Sequence, residues 1–287
     1  MPRTDIAPDH NRRRSIEHRW VSIMVCAMLM LVASSVLAQR GGRGWRERRV
    51  PERSEFPTWQ NPPGFEKDVF TFARIRYVPH YHRGWDADYP DADWNLSLRL
   101  QELTTLRVNP NPVVIELTDP GLTDYPFLFM TAPYSVIFTD DEARSLRRHL
   151  HNGGFLMVDE FWGTIQWQHF YQQMKRVLPE CEPKELSLDH EIFHIVYDFK
   201  ELPQATAIHF WQQGYTYHPV AGTERDHSPH FFGLFDKSGR MMVLLCHNND
   251  LCDGWEREGE DKEFFERFSL RSSYPMGINI ITYAMSR

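Results

Sequence analysis

The run Asn152-Gly-Gly-Phe-Leu-Met-Val-Asp-Glu160 most narrows what this chain can fold into. Phe155–Val158 is continuously apolar, which marks a strand buried on both faces rather than one with a wet side. The two glycines before it tolerate the left-handed backbone that ends a helix. That helix is announced by Thr139-Asp-Asp-Glu142, a capping box, and its apolar stripe runs through Ala143, Leu146 and Leu150. Phe170, Met174 and Val177 then recur at helical spacing. Helix, buried strand, helix is the unit of a parallel sheet covered on both sides.

The flanking sequence extends the pattern. Val69–Tyr77 is rich in aromatic and β-branched residues, with Val69, Thr71, Ala73, Ile75 and Tyr77 on one face of a strand. Leu96, Leu100, Leu103 and Leu106 predict a helix with Asp93 as its N-cap. Val113–Leu117 and Pro126–Met130 predict two more strands, and Phe231–Phe235 with Met241–Cys246 a hairpin about Asp236-Lys-Ser-Gly239. Tyr274–Met285 predicts a closing helix. The order is that of an α/β fold with a mostly parallel sheet.

The N-terminal residues are of another kind. Arg12, Arg13, Arg14 and Arg19 precede an uncharged stretch from Trp20 to Gln39, and Val36-Leu-Ala38 fits a small-residue cleavage site. Residues 1–38 are therefore expected to be an export signal, or alternatively an uncleaved anchor in the inner membrane. Either way the body is expected in the periplasm or outside the cell, with membrane contact only through this segment. Residues 39–64, rich in Arg, Gly and Pro, are expected to be a linker, and residues 65–287 a single domain. The whole chain carries a net charge of -7. Residues 1–38 hold five Arg against Asp5, Asp9 and Glu17, a net of +2, so the remainder stands at -9. An acidic body disfavours a nucleic-acid partner. Of the cysteines beyond the signal, Cys181, Cys246 and Cys252 are expected to be free, partly buried thiols; a short Cys246–Cys252 bridge is the alternative.

In open α/β sheets, ligands bind at the carboxyl ends of the strands. Tyr77, His80 and His82 follow the first strand, Asp159-Glu160 the glycine-preceded one, and His247-Asn-Asn-Asp250 the hairpin. Asp159 and Glu160 can act as base, as cation ligands or as acceptors for hydroxyls; the alternative is a helix cap and a solvated neighbour. Asp189-His190 reads as a loop-ordering Asp beside a working imidazole. His80-x-His82 with Asp86, Asp88, Asp91 and Asp93 is a candidate for binding a metal, but no third ligand has diagnostic spacing, and a wet acidic surface loop is the favoured reading. Phosphate-loop, dinucleotide and Gly-x-Ser-x-Gly signatures are missing, so no cofactor and no metal is expected.

Phe72-Ala-Arg-Ile-Arg-Tyr77, Tyr125-Pro-Phe-Leu128, Gly153-Gly-Phe-Leu-Met-Val-Asp159, Asp189-His-Glu-Ile-Phe193, Asn249-Asp250 and Gly277-Ile-Asn279 through Tyr283-Ala284 resemble, in this order, the bacterial family called domain of unknown function 4159. The resemblance implies a flavodoxin-like three-layer fold akin to the class I glutamine amidotransferases, and no particular activity. In those enzymes a Cys nucleophile stands on the turn after the central strand. Here that turn holds Asp159-Glu160, so amidotransferase activity is rejected. Three readings follow. One is a module binding a polar small molecule, glycan or peptide in the inherited cleft through Arg74, Tyr77, Asp159, Asp189, His190, Asn249, Asp250, Trp255 and Asn279. Another is a hydrolase using Asp159 or Glu160 with His190, with or without a metal. The third is a structural subunit with an envelope protein partner.

Overall fold

The computed structural model describes residues 52–64, 68–78, 84–219 and 226–287. The expected export segment, half of the expected linker, His80 and His82 lie outside them.

Seven strands form one sheet: β1 (Ala73–Arg76), β2 (Val113–Glu116), β3 (Phe127–Thr131), β4 (Phe155–Phe161), β5 (Lys184–Glu185), β6 (His230–Phe235) and β7 (Met241–His247). Their order is β2-β1-β3-β4-β7-β6-β5. The pairs from β2 across to β7 are parallel, and β6 and β5 add antiparallel strands beyond β7. β4 is central, and residues 155–159 are all buried, as a strand covered on both faces requires.

Each face of the sheet meets its own helices. On one side Phe127, Phe129, Phe155 and Met157 pack against α1 (Asp91–Leu103), α4 (Leu251–Glu256) and α5 (Tyr274–Met285). On the other, Leu128, Met130, Leu156 and Val158 pack against α2 (Asp140–His151) and α3 (Gly163–Val177). Alternation of side chains along β3 and β4 makes this division. The capping box at Thr139 forms in full, and Gly153 ends α2 with φ +105. The close turn Gly154 is needed for space: a Cβ there would stand 2.1 Å from the His149 ring.

Two expectations change. Asp93 does not cap α1, which starts at Asp91; it lies inside the helix, fully buried, and takes both oxygens to the Arg74 guanidinium. Residues 52–64 are docked rather than free: Trp59 Nε1 and Asn61 Nδ2 donate to the Val108 carbonyl at 2.7 and 2.9 Å, and Arg53 donates to the Pro110 carbonyl at 2.7 Å. The compact unit accordingly begins at Pro51. The cysteines follow the reading of free thiols: Cys181, Cys246 and Cys252 are free and buried. No helix among the described residues is long and apolar enough to cross a membrane.

Candidate functional site

The backbone singles out one edge of the sheet. Among the described residues, four that are not glycine have left-handed φ: Asp88 (+59), Ala132 (+51), Glu160 (+59) and Asn248 (+54). Asp88 lies in the connection after β1, Ala132 directly follows β3, Glu160 stands near the end of β4, and Asn248 directly follows β7. All four therefore belong to the carboxyl edge. Such residues cost roughly 1–3 kcal/mol each and persist only where the surrounding structure holds them.

A nest of acidic side chains is built on these positions. Glu160 Oε2 accepts from the Thr131 hydroxyl at 2.7 Å. Asp250 caps α4 by accepting from the Asp253 N–H, and its Oδ1 lies 3.5 Å from Cys252 Sγ. Asp159 Oδ2 accepts from the Cys252 N–H at 2.9 Å. Donor atoms of Asp88, Glu160, Asp250 and Cys252 all lie within 4.8 Å of one another. Asp88 is delivered by Arg74, whose Nη1 donates to the carbonyls of Trp85 and Ala87 at 3.0 and 2.9 Å.

Electrostatics follow from burial. Desolvation pushes the Asp159 carboxyl up to about 7, although the Cys252 hydrogen bonds favour its ionised form. Burial also raises Glu160 and Asp250, and neighbouring carboxylates raise them further. The Cys252 thiol is raised by burial and then by Asp88, Asp159, Asp250 and Glu160. A thiol so placed stays protonated and is no nucleophile. His218 is pushed down to about 3 by burial. Its Nε2 accepts from the Ala207 N–H at 3.0 Å and lies 3.0 Å from Asp250 Oδ2. With the Nε2 lone pair engaged by Ala207, a neutral Asp250 carboxyl group is repelled less at that distance than a carboxylate, in line with its raised pKa.

The residues singled out in the sequence separate into three groups. Asp159, Glu160 and Asp250 come together in the nest. Arg74, Tyr77, Asn249, Trp255 and Asn279 are buried supports. Every guanidinium nitrogen of Arg74 is engaged by Asp93 or by backbone carbonyls. The Tyr77 hydroxyl is within hydrogen-bond distance of the Thr131 and Ala132 carbonyls. Asn249 clamps Pro203 and Ala205, and Asn279 clamps Val196 and Tyr197, through their backbone groups. Trp255 packs its fully buried ring on Phe129.

Asp189 and His190 are elsewhere. His190 Nδ1 accepts from the Ile192 N–H, and its ring packs on Tyr283, which in turn packs on Phe155 at the start of β4. Asp159 is four residues further, roughly 13 Å along the strand. Asp189 is exposed and accepts from the Ser187 hydroxyl. No Asp159–His190 pair exists, because the loop carrying His190 returns to the amino edge of the sheet.

Sequence reasoning passed over Thr131 and His218, and considered Cys252 only for its redox state. Asp88 was legible only as one of several loop aspartates, whereas in the fold it is 9% exposed rather than wet. A cleft of about 240 Å³ also opens at this edge, lined by Trp167, Glu185, Asp226, His230, His247 and Asn248 among others. His230 spans Glu185 at 2.6 Å and Asp226 at 3.0 Å, and those two carboxylates raise its pKa against the opposing effect of burial.

A family model described as Domain of unknown function (DUF4159) matches residues 71–285. No curated protein matches the chain.

Proposed function

The chain belongs to the family described as Domain of unknown function (DUF4159), and from that premise we propose that it is an exported, flavodoxin-like module that binds a polar ligand at its carboxyl edge and does not hydrolyse glutamine. The strand order supports the fold assignment: β2-β1-β3-β4-β7 follows the 2-1-3-4-5 order of flavodoxin-like sheets, in which the ligand sits beyond the strand ends. Kinship with the class I glutamine amidotransferases rests on the same order and on the turn after β4. Export rests on the basic and uncharged N-terminal residues.

The observation that carries the reading is Glu160. It holds a left-handed backbone where the central strand hands over to α3, the place at which an amidotransferase needs its thiolate. A carboxylate there cannot form the thioester of glutamine hydrolysis. Cys252 is near in space, but burial and the surrounding carboxylates hold its thiol in the protonated form. The neighbouring cleft supplies what a polar ligand needs. It offers the Trp167 ring for stacking, the charged groups of His230, Asp226 and Glu185, and a volume suited to one sugar ring or one residue. A hydrolase pairing Asp159 with His190 has no geometric support.

Thermal shift on the full chain with N,N'-diacetylchitobiose, alanyl-alanine and L-glutamine tests this. At least one probe raises the melting temperature, Trp167→Ala removes the rise, and no ammonia is released from glutamine. Ammonia release, or no response to any of the three probes, contradicts the reading.

A further inference from the structure

We propose that Asp88, Glu160, Asp250 and Cys252 form a binding site for one divalent cation of zinc type. The inference deepens the reading of the carboxyl edge as the working edge and names what its most buried part holds.

The first observation is the donor set. Three carboxylate oxygens and one sulfur, each within 4.8 Å of the others, come from four separate backbone positions, in the β1–α1 connection, at the end of β4 and around the start of α4. Atoms ligating a common ion at about 2.0–2.6 Å lie roughly 3–5 Å apart. Asp88, Asp250 and Cys252 are buried and Glu160 is partly so. Buried carboxylates require a counter-charge, a proton or an ion. Among the described residues, none of the ion pairs made by Lys or Arg reaches Asp88, Asp159, Glu160 or Asp250. The nearby guanidinium groups are committed, Arg74 to Asp93 and Arg257 to Asp253, Glu256 and Glu260.

The second observation is independent of the cluster. Asp159 follows Phe155 and Met157 on the face of β4 that α4 covers, and it is fully buried. Its Oδ2 accepts from the Cys252 N–H, yet its Oδ1 has no hydrogen-bond partner among the described residues. A buried acceptor left so costs about 1–3 kcal/mol. An ion with its bound water beside Cys252 gives that oxygen a donor, in the role that outer carboxylates take around metal sites.

Sulfur in the set selects the ion. Oxygen ligands alone suit magnesium or calcium, whereas a thiolate beside carboxylate oxygens selects zinc, which takes a water as a fifth ligand. Binding breaks the Cys252 S–H bond and the O–H bond of the Asp250 carboxyl group, the freed lone pairs go to the metal, and both protons leave to solvent.

The test is titration of chelator-treated full chain with zinc by calorimetry, and with cobalt(II) by absorption, in which a thiolate ligand produces a charge-transfer band. The expected result is one zinc per chain, a cobalt–thiolate band that vanishes in Cys252→Ser, and at least tenfold weaker zinc binding in Glu160→Gln and Asp88→Asn. Circular dichroism establishes that each variant is folded; Glu160→Gln decides if Asp88→Asn is not. No zinc binding, magnesium or calcium binding in preference to zinc, or binding unchanged in the variants overturns the site. Zinc binding without response to the polar probes contradicts the ligand reading alone. A probe response without zinc binding contradicts this inference alone.

Discussion

Arg74 shows how single residues serve the edge without touching a ligand. Its guanidinium is fully buried, lies 4.9 Å over the Phe129 ring, pairs with Asp93, and holds by two carbonyls the loop that carries Asp88. Removing one partner of such a pair leaves a charge stranded in the interior. Arg74→Met should therefore cost about 3–5 kcal/mol, and the double variant with Asp93→Leu distinctly less, as denaturant unfolding will read. His149 makes a pH-dependent contribution. Burial, and then the charge of Arg240, push its pKa down to about 4 from 6.5. The unfolded chain therefore binds the proton more readily between these values, so stability is lost as pH falls from 6.5 to 4. The loss is on the order of 2 kcal/mol and should be absent in His149→Gln, measured by unfolding across that range. Neither role was legible beforehand. Asp93 looks like a helix cap in one dimension because it precedes a leucine stripe; only the approach of β1 to α1 reveals its partner. His190 looks like a catalytic imidazole beside an aspartate, yet the path of the loop puts it at the wrong edge.

Elements were far more legible than contacts, for a physical reason. α2, β4 and α3 are specified locally, by a capping box, a glycine stop and an apolar run, and each of these forms where it was expected. The turn between α2 and β4 depends on both of its glycines in different ways. Gly153→Ala puts a Cβ on a left-handed backbone and should cost about 1–2 kcal/mol. Gly154→Ala meets the buried His149 ring and should cost more, with the larger drop in melting temperature. The elbow at Glu160 was legible as an acidic pair after a buried strand, but its left-handed backbone was not. Strain of this kind is imposed by β7 and α4 packing around the turn, which no local pattern encodes.

The molecule as a whole divides its labour between the two edges of the sheet. At the amino edge of β4, Phe155, Tyr283 and His190 pack together. At the carboxyl edge, four left-handed residues and a nest of buried carboxylates are held in place at a cost to stability. A strap of residues 52–64 fastens to residues 108–111, so Trp59→Ala should lower the melting temperature by several degrees although the tryptophan lies far from the acidic nest in sequence. The division of edges predicts that the nest exists for binding and opposes stability when nothing is bound. Thermal unfolding of Glu160→Gln beside the unsubstituted chain, both in chelator at neutral pH, tests this most directly. Glu160→Gln keeps the shape and removes a group whose charged form burial and the neighbouring carboxylates disfavour, so the melting temperature should be equal or higher. A drop equivalent to more than about 1 kcal/mol would show that Glu160 is a structural residue and contradict the account.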